Sequence, residues 1–415
     1  MIAGGVSNVC KSFHRGEEAQ AMDGMDAVDL FAGARGWSEG LRQLGLRDVG
    51  IELDHDACRT AVNAGHATIR ADVANYPTTP FAGIPGLIAS PPCPAFSAAG
   101  KGHGRAVLDD IVQAVHDERW TALRADHDPE VWLTLEVGRW ISDLFPEWIA
   151  MEQVPAVLPI WQAFAHVLRE RGYSVWTGVL SSETFGVPQT RRRAILIASR
   201  SRTVTSPPAT HQAYKKGVPQ GDPEACGGMF GGLAPWVSMT DAIGWGMADR
   251  PTFTITGGGT KQGGAEPFAS TSRKAMLDRR NNGAPLVDPD LRLSPTLTAT
   301  AGAKGQWVFR RPATTVCGDA RIGAPGHRDS EGGEPQFGAD SIRLTIDQAL
   351  AIQSFPPDYP LHGTKTSKFQ QIGNAIPPLM AAHILAMATG RSSIPHTTIL
   401  QRTASTLRDS RDRDG

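Results

Sequence analysis

The chain has 415 residues, 40% hydrophobic and 20% charged, the make-up of a globular protein too long for a single hydrophobic core, so one large domain and one smaller are expected. The formal net charge of -1 gives no global sign of a polyanionic partner, and nucleic acid would have to be met by local basic patches. The five cysteines (Cys10, Cys58, Cys93, Cys226, Cys317) are scattered and never in CxxC spacing, which argues against structural zinc or a disulfide framework and fits a reducing cytoplasm.

In chain order, residues 1–24 are polar and aperiodic, a loose tail without the apolar core of a signal peptide. No run approaches the roughly 20 apolar residues that span a bilayer, so no membrane is expected. From Met25 to about Ser199, apolar strands alternate with amphipathic helices. "DAVDLF" is a strand, and a glycine-rich turn leads to a helix through Trp37–Leu44. "RDVGIELD" precedes a helix through Ala57–Asn63; "ATIRADV" and "IPGLIAS" are further strands. "WIAMEQV" precedes the helix Ile160–Arg171, and "YSVWTGVL" and "RRAILIAS" close the series. Such alternation predicts a doubly wound, mostly parallel α/β sheet with helices on both faces.

Residues 201–340 change character, being rich in Gly, Pro, Thr and Ser. The fragments "RPTFTITGGG", "LSPTLTAT" and "RPATTVCG" each place a proline before alternating Thr and apolar residues, as in short strands bounded by turns. A second, irregular β-rich domain is expected there. Helical periodicity returns in "LTIDQALAIQSFP" and "IPPLMAAHILAMATG". The predicted division is therefore 25–200 with 341–392, 201–340 as the second domain, and 393–415 as a charged tail.

The chemistry-bearing residues gather where these strands end. Glycines 33, 36 and 40 after the first strand would let the backbone approach a ligand. Glu52 ends the next strand, where an acid accepts from ribose hydroxyls, and Asp72 ends the third. Together they favour an adenosine-type cofactor. Cys93 follows two stiffening prolines and precedes a small, mobile stretch, a setting for a nucleophile rather than a buried hydrophobe. Glu152 emerges near it as a candidate general acid. Strand alternation makes Arg191 and Arg193 point together and Arg192 away, two guanidiniums suited to phosphate or a carbonyl oxygen.

"DLFAGARGW", "GIELD", "ADV", "SPPCPAFS", "MEQVP", "QTRRRAILIA", "RLTIDQALAIQSFP" and "QQIGNAIPP", in this order, resemble the motifs of the DNA cytosine-C5 methyltransferases. They run from about residue 26 to residue 389. The resemblance implies a class I, Rossmann-like methyltransferase domain using S-adenosyl-L-methionine, with residues 201–340 as the target recognition domain. It implies that Cys93 attacks C6 of a cytosine flipped out of double-stranded DNA and that Glu152 holds or protonates N3. Arg193, with Arg191 near it, would contact the O2 edge. The cofactor would be lined by Phe31, Ala32, Gly33, Glu52, Leu53, Asp72, Val73, Pro92 and Asn374. The stretch Ser97–Arg105 would be a loop closing over DNA, with Ser97, Lys101 and Arg105 at the phosphates, and the "GNAIPP" helix would pack beside the first strand. A cytoplasmic monomer is implied, without a metal, serving either beside a restriction endonuclease or alone in phage DNA protection, two roles that the sequence does not distinguish.

The chain departs from the family at Arg35, where the turn usually carries a glycine, at Ser90 and Pro94 around the nucleophile, and at Gln153, usually asparagine. Arg35 is expected to point outward on the surface rather than to serve an acidic cofactor variant. The rival functions are an amino-group methyltransferase, against which the absence of an aromatic at position 93 speaks, a tRNA cytosine-5 methyltransferase, and a DNA-binding decoy without turnover. The clusters Arg191–Arg193, Lys215–Lys216, Arg273–Lys274 and Arg279–Arg280 are expected to track phosphates.

Overall fold

The computed structural model describes residues 24–92, 107–127, 129–215, 218, 220–228, 232–238, 241–242, 313–314, 321–322, 342–343 and 345–391. Seven strands, β1 (Ala27–Leu30), β2 (Asp48–Glu52), β3 (Ala67–Arg70), β4 (Gly86–Ala89), β5 (Trp148–Gln153), β6 (Ser174–Ser181) and β7 (Arg192–Ser199), form one sheet in the order β3-β2-β1-β4-β5-β7-β6. The pairings β3–β2, β2–β1, β1–β4 and β4–β5 are parallel, whereas β7 runs antiparallel to both β5 and β6. Strands β1 and β4 are buried at every position, which is why they stand out as unbroken buried runs rather than as alternating patterns. The expected doubly wound α/β sheet is present.

Strand order reverses between β1 and β4, and in such sheets ligands bind outside the carboxyl ends at that point. The reversal of β7 has an equal consequence. Because Gln153, at the end of β5, pairs with Ala194 near the start of β7, Arg191 and the arginines that open β7 arrive at the same sheet edge as the ends of the parallel strands.

Helices α1 (Gly36–Gln43), α2 (His55–Asn63) and α5 (Leu158–Glu170) lie where the periodicity puts them. Helices α3 (Leu108–His116) and α4 (Pro129–Leu144) are additions to that expectation. They supply the crossover that two adjacent parallel strands, β4 and β5, require. One apolar core forms on their side of the sheet, where Leu30, Ile51, Leu87, Ile149 and Leu196 meet Ile111, Leu135, Trp140, Trp161 and Phe164. The opposite face buries Ile88, Ala150, Ile195 and Ile197 against Trp37, Leu41, Met380 and Ile384.

Helix α6 (Ile346–Ile352) begins with a capping box between Thr345 and Gln348. Helix α7 (Lys365–Asn374), also unanticipated, is followed by α8 (Pro378–Thr389). The span Lys365–Thr389 is long and apolar enough to cross a membrane by length and composition, contrary to the expectation above, yet it is mostly buried inside the protein. Helix α8 packs on α1 at short range: a Cβ on Gly36 would come 2.2 Å from the Ile376 carbonyl oxygen, and one on Gly40 2.8 Å from Ala381 Cβ. Those two glycines therefore make room for the returning chain rather than for a ligand. The "GNAIPP" segment closes the fold against the first helix.

Of the expected second domain, few residues are described. Ala313–Thr314 pairs in parallel with Gln189–Thr190, and Arg321–Ile322 pairs antiparallel with Ile342–Arg343. Val204 is buried in the core between the sheet and α8, its amide donating to Ser174 Oγ at 3.0 Å. The fragments "RPTFTITGGG" and "LSPTLTAT", and nearly all of both predicted tails, lie outside the described residues.

Candidate active site

Read across the sheet, one edge presents in turn Asp72 after β3, Glu52 at the end of β2, Phe31–Gly33 after β1, Pro92 after β4, Glu152 in β5 and Arg193 in β7. The acids fall on one half of this edge and the Glu152–Arg193 pair on the other.

On the first half, the turn after β1 is tightly wound: Phe31 (φ 60°), Gly33 (φ 51°) and Arg35 (φ 68°) all adopt left-handed backbone, which costs Phe31 and Arg35 strain that a glycine would not bear. Glu52 holds it. One carboxylate oxygen accepts from the Gly33 amide at 2.7 Å and the other from the Asp54 amide at 2.7 Å. Ala32 is buried and its amide donates to the Ile51 carbonyl at 3.1 Å. Next to Glu52, Leu53 is 62% exposed, an apolar side chain left in water beside a carboxylate. Asp72 accepts from the Ala74 amide at 2.9 Å and from Asn75 Nδ2 at 2.7 Å. Val73 is a core residue whose carbonyl takes bonds from Arg139 and Trp140. Tyr359, which no motif flagged, pins the turn from outside by donating its hydroxyl to the Ala34 carbonyl at 2.8 Å. Burial pushes that phenol upward, so it stays a donor.

On the second half, Glu152 is 3% exposed, and Arg193 Nε lies 2.7 Å from its Oε1. A carboxylate this buried needs such a partner. Gln153, where the family has asparagine, donates from Nε2 to the Pro91 carbonyl at 2.5 Å while its Oε1 accepts from the Val154 amide. The longer amide thus ties the end of β5 to the proline turn. Ser90 accepts from Trp37 Nε1 at 2.9 Å, and its amide donates to the Leu30 carbonyl at 3.3 Å, so the approach to that turn is fixed at both ends. Pro92 is half-buried. Cys93, Pro94, Ser97, Lys101 and Arg105 lie outside the described residues.

Two arginines depart from expectation. Arg191 is buried and donates from Nη1 to the Gly373 carbonyl at 2.9 Å, next to Asn374, which is exposed at the end of α7. Its guanidinium supports α7, while that of Arg193 goes to Glu152; Arg192 is the exposed member of the three. Arg35, expected on the surface, is fully buried, with Nη2 2.9 Å from Asp48 and Nη1 3.6 Å from Asp29. The space comes from Gly50, since a Cβ there would sit 1.6 Å from Arg35 Nη1. Burial drives the Asp29 carboxyl well above its ordinary range, with Arg35 opposing. The arginine is an internal strut beneath the turn after β1.

A family model described as C-5 cytosine-specific DNA methylase matches residues 25–225 and 319–388. The type II methyltransferase M1.HphI of Haemophilus parahaemolyticus is 25% identical over 380 residues, covering 86% of this chain and 84% of that protein. M.NaeI of Lentzea aerocolonigenes is 26% identical over 373 residues, covering 88% and 74%. A prophage-encoded Escherichia coli chain described as a DNA modification methyltransferase shares the fold, with a TM-score of 0.50 at 17% identity over 88% of this chain and 99% of that one. Matched over most of its length by that family model, the chain belongs to the C-5 cytosine-specific DNA methylases and is a DNA (cytosine-5-)-methyltransferase.

Proposed function

We propose that the enzyme methylates C5 of a cytosine flipped out of duplex DNA, with S-adenosylmethionine as donor and Cys93 as nucleophile. The observation that carries this is the Glu152–Arg193 pair, joined through Gln153 to the proline turn that delivers Cys93. The first half of the edge suits the cofactor: Glu52 and Asp72 offer carboxylates to ribose and amino groups, and exposed Leu53 offers an apolar face to a purine. Phe31, Ala32, Gly33, Val73, Pro92 and Asn374 complete that lining. S-adenosylmethionine would supply an electrophilic methyl group when bound, its methyl–sulfur bond breaking so that S-adenosylhomocysteine leaves.

The chain's own residues perform the rest. Cys93 Sγ bonds to C6, the C5=C6 electron pair becomes available at C5, and C5 takes the methyl group. Loss of the C5 proton and cleavage of the Sγ–C6 bond return the thiolate and the methylated base. Covalent attack is needed because C5 of cytosine is a poor nucleophile, and extrusion because C6 is covered on both faces in the stack. Glu152 holds N3, oriented by Arg193, which also reaches toward the O2 edge. Arg191 positions the end of α7 bearing Asn374. Ser97, Lys101 and Arg105 meet phosphates as the loop closes. Residues 201–340 act as the target recognition domain, clasping one duplex against a catalytic domain formed by 25–200 and 341–392, so a monomer suffices. The type II relatives favour a DNA-modifying role beside a restriction endonuclease, or in phage DNA protection, in a bacterial cytoplasm.

The test uses duplex DNA carrying 5-fluorocytosine, whose fluorine blocks release of the enzyme. A denaturation-resistant protein–DNA adduct that disappears in Cys93→Ser is expected. Methyl transfer to ordinary DNA without any adduct would overturn the covalent mechanism.

A further inference from the structure

Away from the reacting edge, the first turn of α2 and the segment before α7 bring His55, Asp56 and His362 together. Asp56 Oδ1 lies 3.1 Å from His362 Nδ1 and 3.6 Å from His55 Nδ1, and the three ligand atoms all lie within 4.8 Å of one another. An ion held tetrahedrally by bonds of about 2.0–2.2 Å separates neighbouring ligand atoms by about 3.3–3.6 Å. The Asp56–His55 edge matches that spacing as it stands, and the Asp56–His362 edge, now a 3.1 Å hydrogen bond, opens by a few tenths of an ångström to meet it. The third, between the imidazoles, closes by rotation of the His55 ring, which is 56% exposed.

The surroundings are built rather than incidental. Ser367 Oγ donates to Asp56 Oδ2 at 2.8 Å, fixing the carboxylate's other oxygen. The backbone of His362 is held twice, its amide donating to Thr60 Oγ1 at 2.8 Å and its carbonyl accepting from Gln371 Nε2 at 2.8 Å. Gly363 adopts φ 105°, and a Cβ there would come 2.2 Å from Asp56 Oδ2, so the turn presses as close to the carboxylate as glycine permits. Partners of this kind orient ligands around metal ions.

We propose that His55, Asp56 and His362 form a binding site for a divalent transition-metal ion of the zinc class, with the remaining position open to water. Two imidazoles and one carboxylate select such an ion over magnesium or calcium, which favour all-oxygen sets. The ion staples α2 to the turn before α7. Asp54, which caps α2 by accepting from the Ala57 amide at 2.8 Å, also donates its own amide to Glu52, so the staple braces the helix that follows the cofactor-side acid.

The test titrates the chelator-treated full-length chain, carrying Cys93→Ser so that this thiol takes no metal, with Zn²⁺ alone by calorimetry and then with Co²⁺ by visible absorption. One ion per chain is expected, with a raised Tm and a cobalt spectrum typical of low coordination. Asp56→Asn and His362→Ala should each weaken binding tenfold or more, and Ser367→Ala by about 10–100-fold. His55→Ala, at an exposed side chain, carries the same expectation without threatening the fold. No binding by the parent, or binding of equal strength in His55→Ala and His362→Ala, overturns the site.

Discussion

At the scale of single residues, the chain treats charge in two opposite ways at the two halves of its edge. Glu152 and Arg193 pair where chemistry is proposed, and the arginine of the pair keeps partial access to solvent. Arg35 does the reverse: it is wholly enclosed and spans Asp48 and Asp29 beneath the turn that bears Phe31 and Gly33. Removing one partner of a buried ion pair strands the other and costs about 3–5 kcal/mol. Arg35→Met keeps the length and loses the charge, leaving two buried aspartates uncompensated, so urea denaturation should show a loss of that order. Gly50→Ala should be damaging through the same strut, because its Cβ enters the guanidinium's space. An arginine on the surface would change stability by no more than about 0.5 kcal/mol, and a result that small for Arg35→Met would refute the strut.

At the scale of elements, what could be read from the sequence follows burial. Strands enclosed on both faces announce themselves as apolar runs, and the glycine turn, the acids and the Pro-Cys turn sit directly at their ends. Helix α7 was hidden because "KTSKFQQIGN" buries only Phe369, Gln371, Ile372 and Gly373, too few apolar positions to show a period. Arg35 was misplaced because its partners lie on other strands and its cavity depends on a missing Cβ in β2. The metal cluster was invisible for a related reason, since His362 stands 306 residues from Asp56, a separation no ligand-spacing pattern covers. The short 3-10 turn Ser182–Phe185, which joins β6 to the arginine segment, carries another such residue. Burial raises the Glu183 carboxyl from the usual 4.5 to about 7, with Arg192 opposing. The folded chain therefore binds this proton more tightly than the unfolded chain does. Stability contributed by the protonated form is complete below the ordinary carboxylate pKa and is lost as pH rises through about 7. Glu183→Gln removes the titration. Relative to it, the parent should lose roughly 3 kcal/mol between about pH 4 and about pH 8, read from denaturant midpoints, and parallel pH profiles would sink the assignment.

At the scale of the whole molecule, a chain of net charge -1 must collect its DNA contacts locally, and the structure changes which cations are available. Of the cluster Arg191–Arg193, Arg191 is buried against Gly373 and Arg193 is committed to Glu152, which leaves Arg192 exposed where β7 begins. Lys215 is exposed as well, on the stretch that follows β7. Each phosphate neutralised by a side chain releases condensed counterions, so log K falls with log salt at a slope of about -0.9 per contact. Arg192→Ala should accordingly weaken binding to all duplexes about equally and make the slope shallower by about one contact, with methylation specificity unchanged. Arg193→Ala should behave differently, because it frees a buried carboxylate rather than a phosphate: turnover should collapse while the salt slope holds. Binding isotherms at several potassium chloride concentrations separate the two outcomes. If Arg193→Ala flattened the slope and Arg192→Ala did not, the ion pair would be a resting-state contact that DNA displaces, and the division between a positioning arginine and a phosphate-binding one would have to be reversed.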